Sequence, residues 1–371
     1  MYKFVFLIVM RVLLINPWGA EQVPPPAIGY LQSVLKANGV DVTATDLNYG
    51  SDDYDLVAVT FHSFSVRHAK NIRNHYKGRL ICGGHHPSAM AEQMISIGYD
   101  QVVIGEGENA ILSIVNGDTS SIVRNDQKHY KGINEYPIPD YTGLKYDGSM
   151  GLPIISSRGC ASKCSFCASS DFWGHKYTMR TAENVITEIE YIKSLGLKTW
   201  IFYDDNFTAN KKRTYEICSY LNGEIKWQCT SRAEVLDEDI CRELYRAGCR
   251  RMYLGIESFS QGALDRCNKN TTVEKMVKGI VNAEKAGIAT VCLFIVGLPG
   301  DTIEDVLTTK TIRQSIKISE WGKNIAWILP GTDLYRKAKE KGFDDNTFLT
   351  EVPYYTYEQS MVTLQNWYSL L

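Results

Sequence analysis

Residues 158–167 read RGCASKCSFC and hold Cys160, Cys164 and Cys167, three of the chain's ten cysteines. Thiolates at this spacing are soft metal donors. A structural zinc site takes four protein ligands; no second pair of closely spaced cysteines follows, and His175 is the nearby residue that could complete such a set. Three thiolates on one short loop suit a [4Fe-4S] cube held through three of its irons, with the fourth iron open to a ligand that is not a side chain. The other seven cysteines are scattered singly. Cys218, Cys229, Cys241, Cys249, Cys267 and Cys292 fall in strand-like or helix-like runs, where cysteine reads as a small buried hydrophobe.

A loop of this kind needs a scaffold, and 371 residues suffice for two domains with ordinary cores. From residue 11 to 115, short apolar runs (RVLLINP, DVTATDL, LVAVTFH, RLICGG, QVVIGEGE) alternate with helical patterns such as AIGYLQSVLKANG and RHAKNIRNHYKG. Strands separated by helices of that length predict parallel βαβ units, hence an α/β, doubly wound, Rossmann-like domain. Residues 116–152 carry turn formers and no sustained period, and read as a linker. Over 153–335 six further apolar runs (PIISSRG, TWIFYDDN, IKWQCTSR, RMYLGIES, ATVCLFIVGLPG, KNIAWILPGT) alternate with amphipathic helices, which predicts a partial (β/α)6 barrel. Residues 336–371 read as a short C-terminal extension that leaves the barrel mouth open.

In a parallel barrel the chemistry gathers where the strands end, because the βα loops converge there. The six predicted exits carry Arg158 with the cysteine loop; Asp204, Asp205 and Asn206; Arg232; Glu257 with Ser258; GLPG at 297–300; and PGT at 330–332. Any one of these alone reads as a cap or a turn. Six together, one of them the cysteine loop, predict a shared site.

CASKCSFC, with Phe166 just before its last cysteine, resembles the signature of the radical SAM enzymes. FYDDNFT, LGIESFSQGALDRCNK, FIVGLPGDTIED and PGTDLY are similar to stretches of radical SAM proteins that carry an N-terminal cobalamin-binding domain. The resemblance implies a [4Fe-4S] cluster on Cys160, Cys164 and Cys167 whose open iron is chelated by S-adenosylmethionine. It further implies that Phe166, Asp204, Asp205, Asn206, Arg232, Glu257, Gly297 and Gly300 bind S-adenosylmethionine: the acidic and amide groups its ammonium, Arg232 its carboxylate, Glu257 its ribose, and the glycines its adenine or ribose. An external electron donor such as flavodoxin or ferredoxin is implied too.

In the first domain, ICGGHHPSAMAEQMI and DQVVIGEGENAIL resemble the cobalamin-domain pattern of a double-glycine turn, a small hydroxyl residue and a GEGE-like loop. Gly83, Gly84, Ser88, Gly105, Glu106 and Gly107 are then implied to border the nucleotide tail. The loop NPWGAEQVPPPAIG lacks the histidine of the DxHxxG motif with which methionine synthases and mutases ligate cobalt, so a corrinoid here would lack that lower ligand. His62, ending LVAVTFH, reads as a hydrogen-bonded loop histidine, with approach to the cofactor as the alternative.

A formal net charge of -2 and no Lys/Arg run give no sign of a nucleic-acid or membrane partner, which leaves a small molecule or a peptide as substrate. MYKFVFLIVM is too short to span a bilayer and no cleavage site follows it, so the expected location is the reducing cytoplasm, with Met1 or Met10 as the start. The function implied is a cobalamin-dependent radical SAM methyltransferase acting on an unactivated carbon after hydrogen abstraction by the 5'-deoxyadenosyl radical. A radical SAM cyclase or rearrangement enzyme is the first alternative. A non-catalytic metal-binding module is the second.

Overall fold

The computed structural model describes residues 10–17, 23–47, 53–125 and 128–371. Contacts divide it into two units, Met1–Asp147 with Phe348–Glu351, and Gly148–Thr347 with Val352–Leu371.

In the first unit the strands are β1 (Arg11–Asn16), β2 (Asp41–Asp46), β3 (Leu56–Thr60), β4 (Leu80–Gly83), β5 (Gln101–Ile104) and β6 (Ile122–Arg124). They form one parallel sheet in the order β2-β1-β3-β4-β5-β6. Val12, Leu13, Leu14 and Ile15 of β1 and Leu56 and Val57 of β3 are all buried, as central parallel strands covered on both faces require. The helix Pro26–Ala37 starts on a proline, whose missing N–H costs nothing in the first turn. Strand order reverses between β1 and β3, and a doubly wound sheet opens a ligand crevice outside its carboxyl ends at such a point. The loop after β1 falls largely on residues 18–22, outside the described residues. Strand β6 lies in the stretch read from sequence as a linker. Three residues with an exposed–buried–exposed pattern are too short to show a period.

The second unit contains β7 (Leu152–Ile154), a short antiparallel ribbon of β8 (Ser157–Arg158) and β9 (Thr178–Met179), then β10 (Thr199–Phe202), β11 (Lys226–Ser231), β12 (Cys249–Glu257), β13 (Ala289–Val296) and β14 (Glu320–Ile325). Six strands form a second all-parallel sheet, β14-β13-β12-β11-β10-β7, whose edge strands do not pair with each other: a partial (β/α)6 arrangement. One face is sealed under helices by Trp200, Phe202, Trp227, Met252, Leu254, Cys292 and Phe294. Phe202 stacks on Phe207 with ring centroids 4.2 Å apart, and Trp227 donates from Nε1 to the Ala247 carbonyl at 2.8 Å, so the large indole is buried without an orphaned donor. The helices begin where their caps stand. Thr181 and Thr272 accept from backbone N–H groups three residues on, and Thr302 with Asp305 forms a capping box.

The last strand departs from the sequence expectation. β14 begins at Glu320 rather than Lys323 and ends at Ile325. It is an edge strand with a largely exposed pattern, while the apolar Ala326 and Ile328 that suggested a strand are buried in the turn beyond it. All of Cys82, Cys218, Cys229, Cys241, Cys249, Cys267 and Cys292 are buried free thiols, whereas Cys160, Cys164 and Cys167 are partly exposed. Among the described residues no helix is long and apolar enough to cross a membrane.

Candidate functional site

The cysteine loop leaves the second sheet after β7 and is fastened at several points. Asp205 accepts from the Gly159 N–H at 2.9 Å, just before Cys160, and from the Ser169 hydroxyl, just after Cys167, so one carboxylate clasps both ends. In the middle, Ser165 donates its N–H to the Cys267 carbonyl and accepts from the Leu334 N–H, both at 2.9 Å. Asn268 Nδ2 donates to the Lys163 carbonyl at 2.8 Å. Phe166 sits half-buried on the same loop. Arg158 lies over the Trp173 ring, its guanidinium 5.6 Å from the ring centre.

Arg232, at the exit of β11, reaches the loop directly. Its Nη1 donates to Ser162 Oγ at 2.9 Å and to Cys164 Sγ at 3.8 Å, Nη2 donates to the Lys269 carbonyl at 2.7 Å, and Nε pairs with Glu234. Glu257, at the exit of β12, has φ 65°, a left-handed conformation that costs a residue with a side chain of order 1–3 kcal/mol. The Lys269 ammonium holds it from 3.1 Å. Burial, the largest single effect, disfavours the charged form of Lys269, but the charge and hydrogen bond of Glu257 together with Cys164 hold its pKa above the usual lysine value. Burial pushes the Cys164 thiol up, while Lys269 and then Arg232 pull it back toward thiolate. Burial also raises Cys167, against the N–H groups of Ser170 and Ser169.

Three thiols on one restrained, partly exposed loop beside two cations make a donor set that fits an iron–sulfur cluster, whose ligands are anionic sulfurs. Among the described residues no group of three or more His, Cys, Asp or Glu side chains stands ready to hold a metal ion, so the loop brings the sulfurs into one segment without enclosing a site.

Other expected residues are spent within the protein. Asp204 accepts from the Ser156 N–H at 2.7 Å and hydroxyl at 2.5 Å, and from the Ser157 N–H at 3.1 Å and hydroxyl at 2.7 Å; Arg213 stands 3.7 Å away. Burial raises this carboxyl, and Arg213 with the serines opposes it. Asp204 thus joins the exit of β10 to that of β7. Asn206 is buried and accepts from Thr208 Oγ1 at 3.3 Å. Ser258 bonds Thr309, and Thr332 caps the helix Asp333–Glu340.

Gly297 has φ 84°, and a Cβ there would fall 2.6 Å from Leu364 Cδ2; at Gly300 it would fall 2.7 Å from Arg266 Cδ. Asp301 accepts from the N–H groups of Gly297 and Leu298, both at 3.0 Å, and Glu358 accepts from Gly300 N–H at 2.6 Å. The bare sides of both glycines are therefore met by protein. This corrects the expectation of an uncovered mouth at β13, since Glu358 and the helix Met361–Leu370 pack on its exit. Burial pushes the Asp301 carboxyl up to about 7, against the Leu298 N–H and Arg266.

In the first unit Gly83 ends β4, Gly84 and Ser88 follow it, and Gly105, Glu106 and Gly107 follow the carboxyl end of β5. Ser88 Oγ accepts from Gly105 N–H at 3.0 Å and ties the two loops together. Gly84, at φ 102°, passes so near the Phe61 carbonyl that a Cβ would approach it to 2.6 Å. A Cβ on Gly105 would meet nothing within 4 Å among the described residues, whereas Gly83 backs onto Val103 and Gly107 onto Leu31. Glu106 accepts from Asn125 Nδ2 at 2.9 Å. Of these glycines Gly105 presents bare backbone, while Gly83, Gly84 and Gly107 are backed by protein; the open Gly105 turn and the tied loops fit a large ligand held by shape, as a corrinoid tail would be. His62 accepts from Phe64 N–H at 3.3 Å and caps the short turn Ser63–Ser65, the hydrogen-bonded loop role read for it.

Sequence reasoning missed Lys269, Ser156, Ser157 and Glu358. A lysine in DRCNK reads as solvated, and nothing local shows that Ser156 and Ser157 face an aspartate 48 and 47 positions on.

Two family models match the chain: the B12 binding domain over residues 19–115 and the Radical SAM superfamily over residues 154–311. The chain is similar to an uncharacterized methyltransferase of Pyrococcus horikoshii, 28% identical with 89% of this chain and 83% of that protein covered. It is similar to the anaerobic magnesium-protoporphyrin IX monomethyl ester cyclase of Rubrivivax gelatinosus, 27% identical over 92% of this chain and 73% of that protein. The radical S-adenosylmethionine methyltransferase TsrM from Kitasatospora setae, solved with cobalamin and a [4Fe-4S] cluster bound, shares the fold at a TM-score of 0.76 and 19% identity, covering 90% of this chain and 75% of that one.

Proposed function

The chain belongs to the cobalamin-dependent radical SAM enzymes, with a B12-binding domain ahead of a radical SAM domain, and from that premise we propose that it transfers a methyl group to an unactivated carbon of a small-molecule or peptide substrate. When bound, the cluster, S-adenosylmethionine and cobalamin supply a 5'-deoxyadenosyl radical and a methyl donor, chemistry that no side chain performs. Cys160, Cys164 and Cys167 hold the cluster. Asp205 fixes both ends of their loop. Arg232, already at the loop, would pair with the carboxylate of S-adenosylmethionine, and Glu257, whose Oε1 is oriented by Lys269, would accept from its ribose hydroxyls. Asn206 and Phe166 complete that surface, while Asp204, Gly297 and Gly300 hold the strand exits in place. Gly83, Gly84, Ser88, Gly105, Glu106 and Gly107 line the corrinoid tail. An external one-electron donor of the flavodoxin or ferredoxin kind serves the cluster, and ten unpaired cysteines suit the reducing cytoplasm.

The observation that carries this reading is the clasp of Asp205 on the cysteine loop beside Arg232, which gathers the thiolate loop after β7, Asp205 after β10 and a guanidinium for a carboxylate after β11. Similarity to proteins named as methyltransferases supports methyl transfer; similarity to a cyclase supports the alternative. The experiment is anaerobic turnover with S-adenosylmethionine bearing a deuterated methyl group. Methyl transfer puts label in the product and yields 5'-deoxyadenosine and S-adenosylhomocysteine in roughly equal amounts. Turnover that gives 5'-deoxyadenosine without S-adenosylhomocysteine or product label overturns methyl transfer in favour of cyclisation or rearrangement.

A further inference from the structure

Burying a lysine costs several kcal/mol unless the site repays it, so the place of Lys269 asks for a reason. Its side chain is 3% exposed. It lies on the segment that wraps the cysteine loop, between the Asn268 bond to Lys163 and the left-handed turn at Asn270. Its carbonyl takes Arg232 Nη2 and its ammonium takes Glu257 Oε1, so a single residue joins the exits of β11 and β12. Gly255 makes room for this: a Cβ there would come within 2.7 Å of Glu257 Oε1 and 3.7 Å of Lys269 Nζ. The same segment runs beside Cys164: the Cys267 carbonyl takes the Ser165 N–H at 2.9 Å, and Arg232, held by the Lys269 carbonyl, reaches Cys164 Sγ at 3.8 Å.

We propose that Lys269 is a positioning residue with an electrostatic role: it orients Glu257 and cancels that carboxylate's charge beside the Cys164 corner of the cluster, which keeps the cluster's reduction potential higher than an unpaired Glu257 would allow. This rests on the reading that Cys160, Cys164 and Cys167 hold a [4Fe-4S] cluster. The step concerned is the uptake of one electron by the oxidised cluster from an added one-electron reductant, dithionite in the test. The product carries one more negative charge, so a nearby cation favours it. Arg232 is itself fixed by Ser162, Glu234 and the Lys269 carbonyl, and Lys269 is the drier of the two, where charge acts most strongly.

The test compares wild type, Lys269→Arg and Lys269→Met, each reconstituted anaerobically with iron and sulfide and titrated with dithionite under electron paramagnetic resonance. Lys269→Met is expected to lower the ratio of reduced to oxidised cluster about tenfold at the wild-type midpoint, a shift of about 59 mV for a one-electron couple, with iron content unchanged. Lys269→Arg keeps the charge and is expected to stay near wild type. Should Lys269→Met fail to fold, Glu257→Gln, which removes the counter-charge and leaves the Lys269 charge in place, is expected to raise the midpoint by a similar amount. A folded charge-removing variant whose midpoint matches wild type overturns the role of Lys269 and leaves the cluster assignment standing. A wild-type chain that takes up no iron overturns both.

Discussion

At the carboxyl end of the first sheet the chain turns on glycines and neutral hydrogen bonds: Gly84 against the Phe61 carbonyl, Ser88 on the Gly105 N–H. At the carboxyl end of the second sheet it turns on charge: Asp205 across the cysteine loop, Arg232 on Cys164, Lys269 on Glu257. Both are six-stranded parallel sheets, so architecture does not set the difference. Backbone without a side chain, as at Gly105, can approach a large ligand closely. A small, charged cosubstrate beside an anionic cluster needs ions fixed by other ions, and those are buried in pairs because an unpaired buried charge costs too much.

Removing the thiols is the strongest way to break that comparison. Changing Cys160, Cys164 and Cys167 together to alanine should take bound iron from about four per chain to almost none and abolish 5'-deoxyadenosine formation, while the first sheet keeps its ability to retain hydroxocobalamin. Iron analysis and corrinoid absorbance on one sample read both. Corrinoid lost together with iron would mean that the two sheet ends do not act as separate sites.

The converse variant is Gly84→Val. A side chain at φ 102° and 2.6 Å from the Phe61 carbonyl should cost on the order of 3 kcal/mol, read as a lower denaturation midpoint for the first unit. Corrinoid retention should fall by more than tenfold with iron uptake unchanged. Iron loss in this variant would sink the claim that the glycine turn serves only the first sheet.

Much of this organisation was legible because it follows periodicity and spacing. Strands β1 to β5 stood out as apolar runs between helices, and the cysteine loop stood out by its spacing. The edge strands did not: β6 is three residues long, and β14 carries its apolar residues beyond its end. Within the site, residue types were legible but their engagements were not. Asp204 and Asp205 are neighbours of one type, yet Asp204 is buried on Ser156 and Ser157 while Asp205 is exposed and clasps a loop. Adjacent strand-end residues point to opposite faces, and what each meets is decided by chain some forty residues away.

A pH test sharpens the charged side. Burial raises the Asp301 carboxyl to about 7 from its ordinary 3.8, so the folded chain holds a proton there that the unfolded chain has released. Between these values stability falls as pH rises, by up to about 1.4 kcal/mol per unit for one proton. Asp301→Asn should flatten that slope between pH 4 and 7 in denaturation experiments, since an amide oxygen can still accept from Gly297 and Leu298 N–H. An unchanged slope would show that Asp301 is ionised throughout, held by Arg266 at 3.6 Å.

The smallest effect belongs to the neutral side. Ser88 offers the Gly105 N–H one hydroxyl acceptor at 3.0 Å, and its own N–H stays bonded to the Gly84 carbonyl whatever its side chain. Ser88→Ala removes only the first bond, and a neutral hydrogen bond at a partly exposed site contributes about 1 kcal/mol. The two loops then lose their tie but keep their turns. Corrinoid affinity should weaken about fivefold, which is what 1 kcal/mol means in a dissociation constant. Fold stability and iron content should stay at wild type. Titration of hydroxocobalamin into both proteins measures it. A loss far above fivefold would mean that Ser88 touches the ligand itself and not only the loop that carries Gly105; no loss would mean that the bare backbone of the glycine turns suffices, the strongest form of the contrast between the two sheet ends.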